Sequence, residues 1–171
     1  VNNKSDELKG WGDDLSKIKA PLGVYSILGN HDYGEYTSWK SNEEKNRNFK
    51  NVLKAQKEFG WNLFLNENDT ISVDGNKIKV IGVENWASSR FQQYGDLDKA
   101  YNGLNNEDFK ILMTHNPSHW NAKVTDAYND IDLTLSGHTH GLQYGIDIGD
   151  FRVSPVRLAY KQWADLYELN K

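Results

Sequence analysis

Three short apolar runs in this sequence break directly into residues that can bind a metal ion or a phosphate. Val24-Tyr25-Ser26-Ile27-Leu28 leads into Gly29-Asn30-His31-Asp32; Ile111-Leu112-Met113 leads into Thr114-His115-Asn116; Leu133-Thr134-Leu135 leads into Ser136-Gly137-His138-Thr139-His140. Open α/β sheets gather ligands beyond the carboxyl ends of their strands, so three such ends can converge on one pocket. Four of the five histidines sit at these ends, whereas scattered histidines would fall mostly on helices and ordinary surface loops. His138 and His140 are one residue apart, a spacing that in extended backbone points both rings the same way, one toward each of two adjacent ions. Gly137 before them lets the backbone turn closely. A nitrogen and oxygen shell of this kind suits Mn, Fe or Zn better than Ca, which prefers oxygen cages. Taken singly, Asn30 would be turn chemistry and His115 a cap for the segment begun by Pro117. Taken together, and with His31 and Asp32 directly after a buried strand, they read as a site for metal-assisted chemistry. His119, beside Trp120 in a helical stretch, reads as structural.

The elements that must carry these residues follow from periodicity. Ser5 is placed to cap a helix with Leu8, Trp11, Leu15 and Ile18 at three- and four-residue steps, weakened by Gly10 and Gly12 and ending before Pro21. Ser41 and Glu44 form a capping box for a second helix that turns Phe49, Val52, Leu53 and Phe59 inward, with Gly60 just past its end. From Asp69 to Val83 the period changes to two around Asp74-Gly75-Asn76, a hairpin. Lys110 to Met113 and Asp132 to Leu135 are two further strands, separated by helical spacing from about Ser118 to Ala127. Glu84 to Gly103 lacks periodicity and reads as a long loop, with Trp86, Phe91 and Tyr94 as packing or anchoring residues. Trp11, Trp39, Trp61 and Trp163 are expected in the core or at its edges. Strands alternating with helices give an α/β fold.

Composition narrows the chemistry further. A chain of 171 residues holds one domain or a large part of one. The 20 basic and 24 acidic residues are interleaved, as between Lys40 and Lys50, so no basic stripe for nucleic acid is evident. With no cysteine, disulfides, thiol nucleophiles and zinc fingers are excluded. No apolar run approaches the roughly 20 residues of a membrane span.

The succession Gly29-Asn30-His31-Asp32, then His115 after a strand, then Gly137-His138-Thr139-His140, resembles the calcineurin-like metallophosphoesterases over roughly Val1 to Leu169. With Gly141 and Gln143 following, the wording resembles a bacterial branch of small phosphohydrolases. The resemblance implies an α/β sandwich of β-sheets flanked by helices. It implies Asn30, His115 and His138 as ligands of one divalent ion and His140 as a ligand of a second. It also implies His31 at the phosphate and leaving group, with Asp32 accepting the ring N–H of His31. The family pattern includes an Asp-x-His and a Gly-Asp motif upstream of Gly29; no Asp-x-His precedes Gly29 here, and Gly12-Asp13-Asp14 falls in the first expected helix and follows no strand, so neither motif is met. They are expected before Val1, with a further strand and turn after Lys171, so residues 1–171 read as a single, partial domain. Two ions, Mn, Fe or Zn, are then expected in the full-length protein and at most one, weakly held, in this piece, which need not be active alone. The implied substrate is a small phosphate ester or pyrophosphate. The alternative is a degenerate member that keeps the fold as a binding module. Metallo-β-lactamase-like hydrolases fit poorly, since His140 is followed by Gly141-Leu142-Gln143-Tyr144 rather than the Asp and His they need. Location, membrane association and oligomeric state rest on features outside the sequence.

Overall fold

The computed structural model describes residues 1–87, 92–105, 107–141, 143–149 and 151–169. Its longest element is a helix at Asn42–Glu58, where Ser41 caps as expected but Glu44 reaches the backbone of Lys40, one residue before the cap, so only half of the expected capping box forms. The Ser41 hydroxyl accepts from the Glu44 backbone N–H at 3.2 Å, and the Glu44 carboxylate accepts from the Lys40 backbone at 2.9 Å. Gly60 follows in the left-handed region (φ 79°), closing the C-terminus without a Cβ penalty. The inward face of this helix holds the rest of the N-terminal half. Val52 joins Leu28 and Tyr33 in a buried cluster flanked by Phe49, Leu53 and Leu63. Gln56 accepts the Ser26 hydroxyl at 2.6 Å, and Asn48 fixes the backbone of Asn3 and Ser5.

That backbone is not the expected helix. A single 3-10 turn, Ser5–Leu8, is followed by one α-helical turn, α1 at Gly12–Leu15. Gly10 between them sits at φ 85°, outside helical space. Ser5 does not cap; the Glu7 carboxylate instead takes the backbone N–H groups of Asn3 and Lys4 at 3.1 and 2.9 Å. Trp11, expected in the core or at its edge, is 61% exposed as a result.

Strands β1 (Tyr25–Ser26) and β2 (Asn62–Leu63) pair in parallel as a small sheet beside the long helix, α2. A four-stranded sheet follows from β3 (Glu67–Val73), β4 (Asn76–Gly82), β5 (Phe109–Met113) and β6 (Leu133–Leu135), in that order, antiparallel once and then parallel. The predicted hairpin is β3–β4. Asp74 and Gly75 both have positive φ, 49° and 81°, the pair of angles that lets a two-residue turn follow the twist of its strands. Glu84 to Gly103 is not all loop, since helix α3 (Leu97–Tyr101) lies within it, capped by Asp96 accepting from Lys99 N–H at 3.0 Å. One turn anchored by buried Leu97 and Ala100 is too short to show a helical period in the sequence. Tyr94 stacks on Tyr33 and Trp86 on His119, so both pack as expected; Phe91 lies outside the described residues.

The main core joins Ile81, Val83 and Leu112 of the sheet side to Leu97, Ala100 and Val124 of the crossovers. The β5–β6 crossover holds a π turn at Trp120–Val124 and α4 at Thr125–Ala127. Each fully buried aliphatic side chain here contributes about 1.5–3 kcal/mol. Where β4 ends, Gly82 lies against Phe64, and an added Cβ would stand 2.4 Å from Phe64 Cβ. Gly82→Ala is therefore expected to destabilise by about 1–3 kcal/mol or more, read as a lower urea midpoint. After β6, residues Ile146–Ile148 (β7) and Phe151–Val153 (β8) form a hairpin, and a 3-10 turn follows at Pro155–Leu158. Among the described residues no helix is long and apolar enough to cross a membrane.

Candidate metal centre

The three chemistry-bearing segments do converge, but from two sheets rather than one. β1 runs through buried Leu28 into a 3-10 turn at Asn30–Tyr33. Tyr33 anchors this turn: its ring stacks between Phe49 and Tyr94, with centroids 5.1 and 3.8 Å away, and its hydroxyl donates to Glu84. Burial, reinforced by the Glu84 carboxylate, holds the Tyr33 phenol far above its ordinary pKa, so it stays a neutral donor. Gly34 ends the turn in left-handed backbone. With Tyr33 buried, Asn30 and His31 remain at the mouth. β5 and β6, adjacent and parallel, deliver the other two segments. Their ladder continues past the strands, Thr114 N–H to Leu135 O and Gly137 N–H to His115 O, both 3.0 Å.

Three polar atoms meet at this junction. Asn30 Oδ1 lies 2.8 Å from His115 Nε2 and 3.2 Å from His138 Nδ1, and the two ring nitrogens are 3.1 Å apart. The Asn30 amide is oriented by its Nδ2 donating to the Tyr36 hydroxyl at 2.8 Å, which leaves Oδ1 for the triangle. Burial drives the His115 pKa down to about 4, helped by His138, His31 and His140. Burial, then His140 and His31, lowers His138 in the same direction. Both rings are thus neutral near pH 7 and have lone pairs to give.

The donor set fits a divalent ion. Ligands about 2.1 Å from such an ion and at right angles to one another stand about 3.0 Å apart, which matches all three edges of the triangle. Two imidazoles and an amide oxygen are borderline donors of the kind Mn, Fe or Zn accepts. Among the described residues no group of three His, Cys, Asp or Glu side chains is placed to hold an ion, and the triangle, an amide and two imidazoles, offers no negative charge of its own.

His140 stands apart from the triangle. His138 and His140 both lie in left-handed backbone, φ 68° and 51°, and Thr139 N–H returns to Gly137 O at 2.7 Å. The expectation of extended backbone with both rings on one side does not hold, because this three-residue turn reorients each ring separately. His138 faces Asn30 and His115, whereas exposed His140 has its Nδ1 on Gln143 Oε1 at 2.7 Å. Non-glycine residues held at positive φ cost energy and cluster at functional sites. Asp32 is also placed differently. Its carboxylate accepts from Gly29 N–H at 2.8 Å and from the Val1 nitrogen at 3.3 Å, closing the 3-10 turn. The ring of His31 instead has Nδ1 on the backbone carbonyl of Asn2, 2.6 Å away. A carbonyl can only accept, so that nitrogen carries the proton and Nε2 is left for a ligand.

A family model for the calcineurin-like phosphoesterases matches residues 5–142. The chain belongs to the calcineurin-like phosphoesterase family. It is 33% identical to a Caenorhabditis elegans protein named as a metallophosphoesterase, F40B5.2, over 80% of this chain and 27% of that protein. It is 32% identical to the uncharacterized metallophosphoesterase YkuE of Bacillus subtilis, over 75% of this chain and 39% of that protein. The bovine transmembrane protein with metallophosphoesterase domain is 30% identical over 91% of this chain and 33% of that protein. The chain thus spans less than half the length of these curated relatives. No solved structure matches it at a significant level.

Within this candidate centre of a calcineurin-like phosphoesterase family member, the structure adds residues that motif reading passed over. Tyr36 and Tyr160 place their hydroxyls on Asn30 and His138; tyrosines in loops distant in sequence give no spacing signal. The glycine packed tightly against the site is Gly29 rather than the expected Gly137. Among the described residues a Cβ at Gly137 would meet nothing within 4 Å, whereas one at Gly29 would stand 2.8–3.0 Å from three atoms of the His115 ring. Gly29→Ala is expected to leave the fold intact, because the ring can swing away. It should weaken Mn²⁺ binding about tenfold or more by carrying Nε2 off the triangle, as measured by titration followed by electron paramagnetic resonance.

Proposed function

We propose that the full-length protein hydrolyses small phosphate esters or pyrophosphates with two divalent ions. The observation that carries this reading is the Asn30–His115–His138 triangle, whose edges of 2.8 to 3.2 Å suit adjacent ligands of one ion. These residues would hold the first ion, and weakly by themselves, since all three donors are neutral. His140 would contribute to the second. When bound, the ions supply activation of the attacking water and neutralisation of the phosphoryl oxygens.

The chain's own residues have separate tasks. Asn30, an uncharged ligand, leaves the first ion more electrophilic than a carboxylate would. His31, with Nδ1–H committed to the Asn2 carbonyl, presents Nε2 to the ester. In its imidazolium form it gives the Nε2 proton to the departing oxygen as the P–O bond breaks. Water adds to phosphorus opposite that oxygen, and the products are the alcohol and the phosphate. The Tyr36 ring lies against His31 with centroids 4.7 Å apart and restricts its swing.

The test is hydrolysis of p-nitrophenyl phosphate and bis-p-nitrophenyl phosphate by the full-length gene product with Mn²⁺, Fe²⁺ or Zn²⁺. Turnover of either ester that is abolished by a chelator is the expected result. A folded protein that cleaves neither ester with any of these ions would overturn the reading in favour of a binding module.

A further inference from the structure

His138 Nε2, the ring nitrogen turned away from the triangle, lies 2.7 Å from the Tyr160 hydroxyl. Tyr160 is beyond the segment that the family model matches, and it reaches the site by a separate route. The Ser154 hydroxyl accepts from Val156 N–H and starts the Pro155–Leu158 turn, and Tyr160 N–H closes on Val156 O at 3.0 Å. The following residues are fastened to the loop that bears His138. The Thr139 hydroxyl donates to Trp163 O at 2.6 Å, and a Cβ on Gly141 would stand 2.9 Å from Ala164 Cβ. The Tyr160 ring meets the His138 ring edge-on, at 5.3 Å and 81°.

We propose that Tyr160 sets the tautomer of His138, its oxygen accepting the Nε2–H so that Nδ1 turns a lone pair toward Asn30 and His115. A neutral imidazole carries one proton on one of two nitrogens. If Tyr160 donated instead, the proton would sit on Nδ1, inside the triangle and 3.1 Å from His115 Nε2, where it would block an ion. Imidazoles that bind metals generally give their other N–H to a fixed acceptor, and loss of that acceptor costs about 10–100-fold in metal affinity. Tyr160 is thus a positioning residue that acts through His138, and this role rests on the reading of the triangle as a metal centre.

The experiment compares the protein with its Tyr160→Phe variant, which keeps the ring and removes only the oxygen. Two-bond ¹H–¹⁵N spectra of the metal-free protein above pH 7.5 read the His138 tautomer directly, with no ion or substrate present. The expected result is an Nε2–H tautomer in the wild type that is lost or mixed in the variant. The Mn²⁺ affinity of the variant should be about 10–100-fold weaker. An Nδ1–H tautomer in the wild type, or an unchanged tautomer and unchanged Mn²⁺ affinity in the variant, would overturn the proposal. Because the tautomer is read without catalysis, a failure of ester hydrolysis would count against the enzymatic reading and not against this one.

Discussion

His138→Ala and Asn30→Ala are each expected to lower metal-dependent ester hydrolysis by the full-length protein by at least about 100-fold. The bound comes from outer-shell changes around metal ligands, which alone cost about 10–100-fold; a lost ligand costs more. Each substitution removes one corner of a triangle that has only three and leaves two neutral donors. His119→Phe serves as the comparison, because His119 is fully buried and, among the described residues, its side chain makes a polar contact with Thr114 alone. Its turnover per folded molecule should stay within about threefold of wild type, since it neither touches the triangle nor faces the mouth. Initial rates with Mn²⁺ and bis-p-nitrophenyl phosphate, normalised to folded protein, check all three. Equal losses in all three variants would mean that the triangle is not where the chemistry occurs.

Acid should destabilise the fold through the same His119. Its Nδ1 pairs with the Thr114 hydroxyl at 3.0 Å, its ring stacks on Trp86 with centroids 4.9 Å apart, and its Nε2 has no partner among the described residues. Burial, with a smaller effect of Lys123, drives its pKa down to about 4, against 6.5 for a free imidazole. The unfolded chain therefore takes up a proton as pH falls through 6.5 while the folded chain resists until about 4. Stability is full above the unfolded value and is lost toward the folded one, by about 3 kcal/mol in all. His115 shifts the same way in the metal-free protein and adds to the slope. His119→Phe keeps a flat ring against Trp86 and removes the titration, and it exchanges the Thr114 hydrogen bond for relief of the orphaned Nε2. Urea midpoints at pH 7 and pH 4.5 should differ less in this variant than in wild type. Equal differences would show that His119 does not titrate in this window.

What could be read from the sequence was local. The Ser41 cap, Gly60 and the Asp74-Gly75 turn are each specified within a few residues, and each is present. That Asn30, His115 and His138 come together was legible for a related reason. Each directly follows an apolar run, and the end of a strand is set by the same residues that make it apolar. The misreadings share another cause. The N-terminal helix had its spacing, but Gly10 at φ 85° breaks it, and α2 holds that backbone in place through Asn48 instead. The spacing of His138 and His140 suggested extended backbone with both rings on one side, yet a tight turn with positive φ at both residues separates their rings. Asp32 was matched to its neighbour His31, when the nearer donor was the backbone of its own turn. Tyr160 had no local signature, since its contact with His138 depends on how residues after β8 fold back over the 136–141 loop.

The most direct test of the metal centre is a crystal structure of the protein with Mn²⁺, located by anomalous scattering. The structure predicts an ion in contact with Asn30 Oδ1, His115 Nε2 and His138 Nδ1, each at about 2.1–2.3 Å. An ion bound elsewhere, or none at these three atoms in millimolar Mn²⁺, would contradict it.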